Sequence, residues 1–510
     1  MEWELRANGE SVARDVTVQT IKNEGEPNEK WKCRITIDGS PWTTSNTRMV
    51  IPISNTEKRI IMVRGKSMGN EIGFSDIKNA YLHAKCSGRI WFRVPDIICD
   101  DLNLPYGTCK LLDKALYGLP DSHAQFDAHT EHVLNSIGFK LISPSVYQRT
   151  NLDSIDEIGA ITDDFILSSP NVGSLVAEIR AAGLNIPEFE LLQAGQPTIK
   201  YNGVEHDIIT TSDGEEIIKE HMFNYMKTLV DKCKTLFNKT HFRYVATPCT
   251  KVADEDYSKP SKLLTTLTPG DFSIDPHGVV ASLLFAARSA KPDLAEIVNT
   301  LSTQIHKWSL ASDKLLERAV AYCSHHLDRG LINPWSQLLG SDINKLHLIS
   351  QSDANLAGCR DSNKSTSGYI VYVGDDLTNP DASFRFLLET GCKRASIICD
   401  STPLAETLAV SLGSKRAMII KSTMEDLQQV EVPIVFESDS TTALKILQDG
   451  YSAKLSSQSR SIRLTISTLN HLIHQGANSA RYVSTNKNTA DVVSKGFITS
   501  FPPCIFDFML

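Results

Sequence analysis

The adjacent acids Asp163 and Asp164 constrain the fold of this chain more than any other feature of its sequence. They stand between residues 158–161 and 165–167, two apolar runs with the length and composition of β-strands. A buried strand does not tolerate neighbouring charges unless they are paired or hold a metal ion. The pattern therefore predicts a hairpin hinged on the two acids, which lie either in a surface turn or in a cation site.

A third acid, Asp76, stands near the end of another apolar strand, in the run Phe74-Ser75-Asp76-Ile77. Two Mg²⁺ ions about 3.5–4 Å apart need carboxylates from separate strands. In such a site one ion lowers the pKa of an attacking 3′-hydroxyl and the other neutralises charge on departing pyrophosphate. Mg²⁺ favours a few carboxylates together with substrate phosphates, which suits a sparse group of acids.

Four more acids recur in the C-terminal third, each in a distinctive setting. Asp353 follows the strand-like run LHLIS, and Glu406 lies on the helical stretch TPLAETLAV. Asp439 follows the apolar run PIVFES, and Asp491 begins the helical stretch ADVVSKGF. Taken singly, each is most simply a helix cap or a turn residue. Together, four acids that converge would form a second two-metal site, in which water attacks a phosphodiester.

The composition is that of an ordinary globular protein, with 41% hydrophobic and 22% charged residues among 510. No run approaches the roughly 18 apolar residues that a membrane span needs, and the polar N-terminus is not a signal peptide. The 11 cysteines are scattered singly, without metal-ligand spacing. We therefore expect reduced thiols and a cytoplasmic or nuclear protein that is not secreted and has no membrane partner.

The formal net charge of −8 argues against tight binding of nucleic acid, which needs Lys and Arg, although the local field decides. Two segments, 58–66 and 450–490, lack Asp and Glu altogether. Their basic residues are Lys58, Arg59, Arg64 and Lys66 in the first, and Lys454, Arg460, Arg463, Arg481 and Lys487 in the second. Each segment is either a solvated face or a nucleic-acid surface. Because 450–490 runs directly into Asp491, we favour a nucleic-acid surface for that segment.

Short strands, helices and turns alternate along the chain, which indicates an α+β protein with at least two catalytic-sized parts. A turn-rich stretch at 247–275 predicts a linker, and 276–330 has strong helical spacing. We predict domains at 1–245, 246–345 and 346–500, followed by a tail at 501–510.

Several blocks resemble copia-type LTR retrotransposon reverse transcriptases. They are WKCRITIDGS, FSDIKNAYLH, GRIWFRVPD, CKLLDKALYGL and ITDDFIL, in family order. The resemblance implies that Asp76 and Asp163 bind catalytic metal ions, with Asp164 beside them. It also implies that Lys32 and Arg34 face the incoming nucleotide and that Tyr81 blocks a ribose 2′-hydroxyl.

The chain departs from the family pattern at two places. Ile161 replaces the family's aromatic residue and Thr162 precedes the acids. Pro120-Asp121 replaces a Lys-Gln pair whose Gln helps to hold the nucleotide. Asp121 therefore stands at a nucleotide-binding position, where an acid would repel a triphosphate unless it turns away.

The C-terminal blocks resemble the RNase H domain of the same family. They are QSDANLAGCRDSNKSTSGY, STPLAETLAV, SDSTTAL and RYVSTNKNTADVVSKGF. All four acids are in register, so the resemblance implies that Asp353, Glu406, Asp439 and Asp491 are catalytic and bind metal. Between the two sets of blocks, DPHGVVASLLFAARSAKPDLAEIVNTLS resembles the family's helical thumb and connection.

The resemblance implies an α+β right-hand polymerase (fingers, palm and thumb), followed by an RNase H-like mixed α/β domain. The implied function is an RNA- and DNA-directed DNA polymerase with RNase H activity and two Mg²⁺ ions per site, with Mn²⁺ as a substitute. Its partners would be an RNA template, a DNA primer, an RNA/DNA hybrid and dNTPs, in the cytoplasm (within virus-like particles) or the nucleus. The alternative is a polymerase-dead, domesticated or degenerate protein that acts as a nuclease or a nucleic-acid-binding module.

Overall fold

The computed structural model describes residues 2–22, 30–39, 50–266, 275–378, 383–455 and 458–510, and it is a mixed α/β structure, as predicted. The chain forms two compact units. The first comprises Met1–Ile53 and Glu71–Glu190, and the second comprises Ser54–Asn70 and Leu191–Leu510. These units do not divide the chain at 245/246 or 345/346, and the domain bounds given above remain predictions.

The strands, in chain order, are β1 (Val12–Ala13), β2 (Asp15–Lys22), β3 (Lys30–Ile37), β4 (Glu71–Asp76), β5 (Trp91–Arg93), β6 (Cys109–Leu111), β7 (Lys140–Ser143), β8 (Val146–Thr150), β9 (Ile155–Ile161), β10 (Asp164–Ser169), β11 (Phe189–Leu191), β12 (Ile199–Tyr201), β13 (Val204–Thr210), β14 (Glu216–His221), β15 (Leu331–Pro334), β16 (His347–Asn355), β17 (Thr366–Gly374), β18 (Phe386–Arg394), β19 (Ile434–Ser438) and β20 (Ser479–Tyr482).

The helices are α1 (Glu2–Ala7), α2 (Asn55–Ser67), α3 (Asp96–Asp101), α4 (Ser122–Ser136), α5 (Val172–Ala181), α6 (Phe223–Leu236), α7 (Lys262–Thr266), α8 (Pro276–Ser289), α9 (Ala295–Ser302), α10 (Leu310–His325), α11 (Thr402–Gln428), α12 (Thr441–Asp449), α13 (Arg460–Ile473) and α14 (Asp491–Ser494). No helix within the described ranges is both long and apolar enough to cross a membrane.

The first unit is organised around a sheet with the strand order β11-β4-β10-β9-β8-β7. The apolar runs on either side of the acids form β9 and β10, whose Ile158, Phe165 and Leu167 are buried. Strand β10 pairs antiparallel with both β9 and β4. The predicted hairpin is therefore present, and its turn falls at Thr162 and Asp163, while Asp164 already belongs to β10.

The second unit contains a sheet with the order β18-β17-β16-β19-β20. Strands β16, β17 and β18 are antiparallel neighbours, whereas β19 runs parallel to both β16 and β20. Helix α11 packs on this sheet at Gly413, where a Cβ atom would lie only 2.7 Å from Ser352 Oγ and 2.9 Å from Ser350 Oγ. Glycine in the interior of a helix normally lowers helix stability. The close approach of α11 to the sheet explains why glycine occupies this position.

Helices fill the predicted helical region, 276–330, where α8, α9 and α10 pack together with α6. Their shared core includes the buried residues Leu283, Leu294, Val298, Leu316 and Val320. This agrees with the apolar spacing of the sequence, because residues three or four apart share one helix face.

The acid-free segment 58–66 is neither a solvated face nor a nucleic-acid surface, which corrects both interpretations of its charge. Lys58, Arg59 and Arg64 are buried on α2. Lys58 forms an ion pair with Glu220 of β14, and Arg59 Nε lies 2.5 Å from the other Glu220 oxygen. The compensating acid lies about 160 residues away in sequence, so the local pattern of charge could not reveal it.

Candidate active sites

The first acid group lies at the edge where β4 ends and β10 begins. Asp76, the last residue of β4, is the cross-strand partner of Asp164, the first residue of β10. Asp163 occupies the turn after Thr162, whose φ of 53° is left-handed. The carbonyl oxygen of Asp163 accepts a hydrogen bond of 2.7 Å from the Ile77 amide. Asp76 and the distant pair Asp163-Asp164 thus share one edge of the sheet.

The acids of this group repel one another. Burial, followed by the charges of Asp163 and Asp76, raises the pKa of Asp164 to about 6. A carboxyl group responds in this way when like charges crowd it in a partly desolvated place. The donors are all carboxylate oxygens, the ligands that Mg²⁺ prefers. A divalent cation bound there would remove the repulsion, but the ligand oxygens of these three acids do not all lie within 4.8 Å of one another.

Tyr81 lies near enough to the first acid group to be affected by the charge of Asp163, and its role beside the ribose remains a prediction. It stands in a 3₁₀ turn, Ala80–His83, and is half-buried, with its ring centroid 4.7 Å from that of Tyr117. Burial raises the pKa of both tyrosines, and the charge of Asp163 raises each of them further. Both phenols therefore lie within electrostatic range of Asp163.

The three remaining residues of the predicted nucleotide site are less well defined by the structure. Arg34 is exposed on β3, and its charge acts on Tyr117 by lowering the pKa that burial and Asp163 raise. Lys32 also lies on β3, but its side chain falls outside the described part of the structure. Asp121 takes the N-cap position of α4 without a capping hydrogen bond from its side chain. The nucleotide-binding roles of all three remain predictions.

The second acid group is more tightly gathered. Asp353 lies on β16, Glu406 on α11 and Asp439 immediately after β19. One ligand oxygen of each lies within 4.8 Å of the other two, and no other three His, Cys, Asp or Glu residues in the described ranges meet this criterion. The parallel strands β16 and β19 are neighbours, so the acids near their carboxyl ends meet at one edge.

Asp491, the fourth acid, adjoins this group through a shared cation. Lys495 Nζ lies 3.0 Å from Asp353 Oδ1 and 2.7 Å from Asp491 Oδ1. Burial and the neighbouring Asp353 raise the pKa of Asp491 to about 7. Ser494 Oγ donates to the other oxygen of Asp353. All four acids predicted from the sequence are therefore in one place.

The second group fits a divalent cation on an observation of its own. Glu406 is only 5% exposed, and its Oε2 atom has no hydrogen-bond partner among the described residues. Burial, then Asp353 and Asp439, raise the pKa of Glu406 to about 9. A buried carboxylate oxygen without a partner is costly, and a hard cation such as Mg²⁺ or Mn²⁺ would satisfy it. The residues present thus suit a metal ion at this position.

The sequence interpretation missed Lys495 and Glu437. Lys495 follows Asp491 by four residues, the spacing of helix neighbours, which was the available signal. Glu437 is the penultimate residue of β19 and precedes Asp439 by two residues in the sequence. It is buried and accepts hydrogen bonds from Arg385 and Arg481.

The basic segment 450–490 is therefore only partly a free surface. Arg481 forms an ion pair with Glu437, while Arg460, Arg463 and Lys487 are exposed. The side chain of Lys454 lies outside the described part of the structure.

The structure is thus a mixed α/β protein that carries a carboxylate cluster suited to a divalent cation on one sheet and three further acids at the edge of another. The chain is 24% identical over 448 residues to the retrovirus-related Pol polyprotein from transposon RE2 of Arabidopsis thaliana, covering 87% of this chain and 28% of that protein. It is 22% identical over 448 residues to the corresponding polyprotein from transposon TNT 1-94 of Nicotiana tabacum, covering 87% and 31%. Its homologues are thus Pol polyproteins of plant transposons, which confirms the predicted resemblance.

The chain spans less than a third of the length of these curated relatives. Among solved structures, a foamy viral protease-reverse transcriptase in complex with double-stranded DNA aligns with 96% of this chain and 67% of its own, at 13% identity and a TM-score of 0.22. The RNase H1 named LC11 aligns with 29% of this chain and 92% of its own, at 14% identity and a TM-score of 0.21. No protein-family model matches the chain.

Proposed function

We propose that this chain is a reverse transcriptase joined to an RNase H domain, which copies a retrotransposon template into DNA and degrades the RNA of the resulting hybrid. The observation that carries the proposal is the convergence of Asp353, Glu406 and Asp439 within 4.8 Å, with Asp491 attached through Lys495. The homology to transposon Pol polyproteins over 87% of the chain supports it. In this proposal the sheet that carries Asp76 and Asp164 is the palm, residues 246–345 with α7 to α10 form the thumb and connection, and residues 346–500 form the RNase H domain.

In the nuclease site, the chain's own residues hold the acids in position. Two divalent ions bound there would activate water against the phosphodiester and stabilise the departing 3′-oxygen. Asp353 lies on the central strand β16 and belongs both to the cluster with Glu406 and Asp439 and to the contact with Lys495. Thr485 Oγ1 donates to Asp439 Oδ2 at 2.8 Å, and Ser494 orients Asp353. Such supporting hydrogen bonds orient ligands and tune their affinity.

In the polymerase site, Asp76, Asp163 and Asp164 would hold the ions that act on the primer 3′-hydroxyl and on pyrophosphate. The rings of Tyr81 and Tyr117 contact each other, and both lie within electrostatic range of Asp163. A tyrosine at this position would contact the sugar of the incoming dNTP and exclude a 2′-hydroxyl. Arg34 would meet the triphosphate, since it acts on the same tyrosine as Asp163.

Primer extension on a poly(rA)/oligo(dT) hybrid with Mg²⁺ tests the proposal when DNA growth and RNA cleavage are followed together. We expect Asp163→Asn to abolish extension and spare cleavage, and Asp439→Asn to do the reverse. If each folded variant kept the activity that it is expected to lose, the assignment of the sites would be overturned. Protein without either activity, although folded, would favour a binding module.

The second candidate is a nuclease whose polymerase is inactive, working in the cytoplasm or nucleus on RNA/DNA hybrids. Its support is the departure at Ile161, Thr162 and Asp121 within an otherwise matching set of blocks. Thr162 Oγ1 lies 3.3 Å from His123 Nε2, so this turn has polar contacts of its own. Cleavage without extension in the same assay would select this candidate.

A further inference from the structure

Lys495 occupies an unusual position for a basic residue, between two acids of the second group. Its ammonium contacts Asp353 and Asp491 at 3.0 and 2.7 Å. Asp353 is 1% exposed and the Lys495 side chain 33% exposed. The charge is therefore held in a partly desolvated pocket of oxygens, which is the environment that a divalent cation also needs.

The four acids fall into two sets that share Asp353. In one set, Asp353, Glu406 and Asp439, the buried Oε2 atom of Glu406 has no hydrogen-bond partner in the described part of the chain. In the other set, Asp353 and Asp491, both side chains already have a cation, the Lys495 ammonium. The first set therefore has an oxygen available to bind an ion, whereas the Lys495 ammonium already occupies the second set.

We propose that Lys495 is a positioning residue that holds the place of the second divalent ion, so that the chain binds one ion tightly and a second only when this ammonium withdraws. The inference rests on the proposed RNase H function and specifies how its site loads. An ammonium and a divalent ion cannot share the same two oxygens, because like charges a few ångströms apart repel strongly in a partly buried site.

The chain offers Lys495 a way to withdraw. The residue is the C-cap of α14, with extended backbone angles (φ −114°, ψ 140°), and carries a flexible four-carbon side chain. A phosphate of the nucleic-acid backbone would give the ammonium another anionic partner. Binding of the hybrid would then free Asp353 and Asp491 for the second ion, so that metal loading follows substrate binding.

Titration with Mn²⁺, followed by electron paramagnetic resonance, tests this without an activity assay. Full-length protein with Asp163→Asn and Asp164→Asn serves as background, so that bound Mn²⁺ reports on the second group. With Lys495 present, we expect one tightly bound Mn²⁺ and a second that binds at least about tenfold more weakly. Lys495→Met should tighten the second by about tenfold or more and produce the signal of two spin-coupled ions.

The matched control is Lys445→Met, which removes an exposed lysine of α12 in the same unit and should leave both affinities unchanged. An unchanged second affinity in Lys495→Met would overturn the role of Lys495. If that variant does not fold, Lys495→Gln replaces it, and Asp491→Asn should lose only the second ion. Absence of any tight Mn²⁺ that is sensitive to Glu406→Gln would instead overturn the proposed nuclease site itself.

Discussion

Asp76 and Asp164 lie directly opposite each other on the neighbouring antiparallel strands β4 and β10. Like charges in such a cross-strand pair destabilise a sheet. The pair therefore destabilises the metal-free fold, and a cation bound by both carboxylates would remove this repulsion. This relationship supplies a test of the first site that does not depend on polymerase activity.

We expect Asp164→Asn to raise the stability of the metal-free protein by roughly 0.2–1 kcal/mol, since it removes one of two facing charges. Unfolding in the presence of EDTA measures the effect. Asp153→Asn, at an exposed turn residue of the same unit, is the control and should change little. A loss of stability in Asp164→Asn would contradict a repulsive pair.

Glu406→Gln should lower hybrid cleavage by at least about 10–100-fold, the range seen when even supporting residues of a metal site are removed. The amide keeps the shape of the side chain but is a poor ligand for Mg²⁺. RNA release from a labelled hybrid measures it, and Glu425→Gln on the same helix is the control. Equal losses in both variants would point to a structural defect rather than to a lost ligand.

Glu220→Gln should destabilise the second unit by about 3–5 kcal/mol, because it leaves Lys58 and Arg59 buried without their acid. Chemical denaturation measures the change. Glu216→Gln on the same strand is matched in chemistry; that acid is partly exposed and lies 4.0 Å from Lys66, so we expect at most about 1 kcal/mol. Similar losses in the two variants would argue against a buried ion cluster.

His206 should make the protein less stable in acid. Burial, with the charge of Lys58, lowers the pKa of His206 to about 4, although the hydrogen bond to Glu220 opposes this. The folded state keeps the ring neutral, while the unfolded state binds a proton below about pH 6.5. The contribution of the neutral His206 ring to the free energy of unfolding is therefore fully present above about pH 6.5. It falls by up to about 3 kcal/mol as the pH drops towards 4.

Denaturation curves between pH 4 and 7 measure this loss. His206→Gln should flatten the dependence, whereas His306→Gln, at an exposed histidine, should preserve it. Lys58 Nζ and Glu220 Oε1 lie 2.8 and 3.3 Å from Nε2 of the ring, and Arg59 pairs with the same glutamate. A profile that stays the same in His206→Gln would assign the acid sensitivity to other groups.

Much of the candidate sites could be predicted from the sequence, because their acids stand in short, ordered blocks. The sequence predicts Asp353, Glu406, Asp439 and Asp491 as one group, and the structure brings the four side chains together. Lys495 was not assigned, since its spacing from Asp491 shows only that the two residues are neighbours. Its contact with Asp353, 142 residues earlier in the chain, follows from the packing of α14 on the sheet.

The sequence by itself determined the types of secondary structure around the acids and the homology to transposon Pol polyproteins. Apolar periodicity and local motifs carry that information, because both act over a few residues. Only the tertiary structure decided which charges are paired. Lys58 and Arg59 are buried against Glu220, Arg481 is committed to Glu437, and Lys495 bridges two acids. Coulomb interactions depend on distance in space, and segments far apart in sequence set those distances only when the chain has folded.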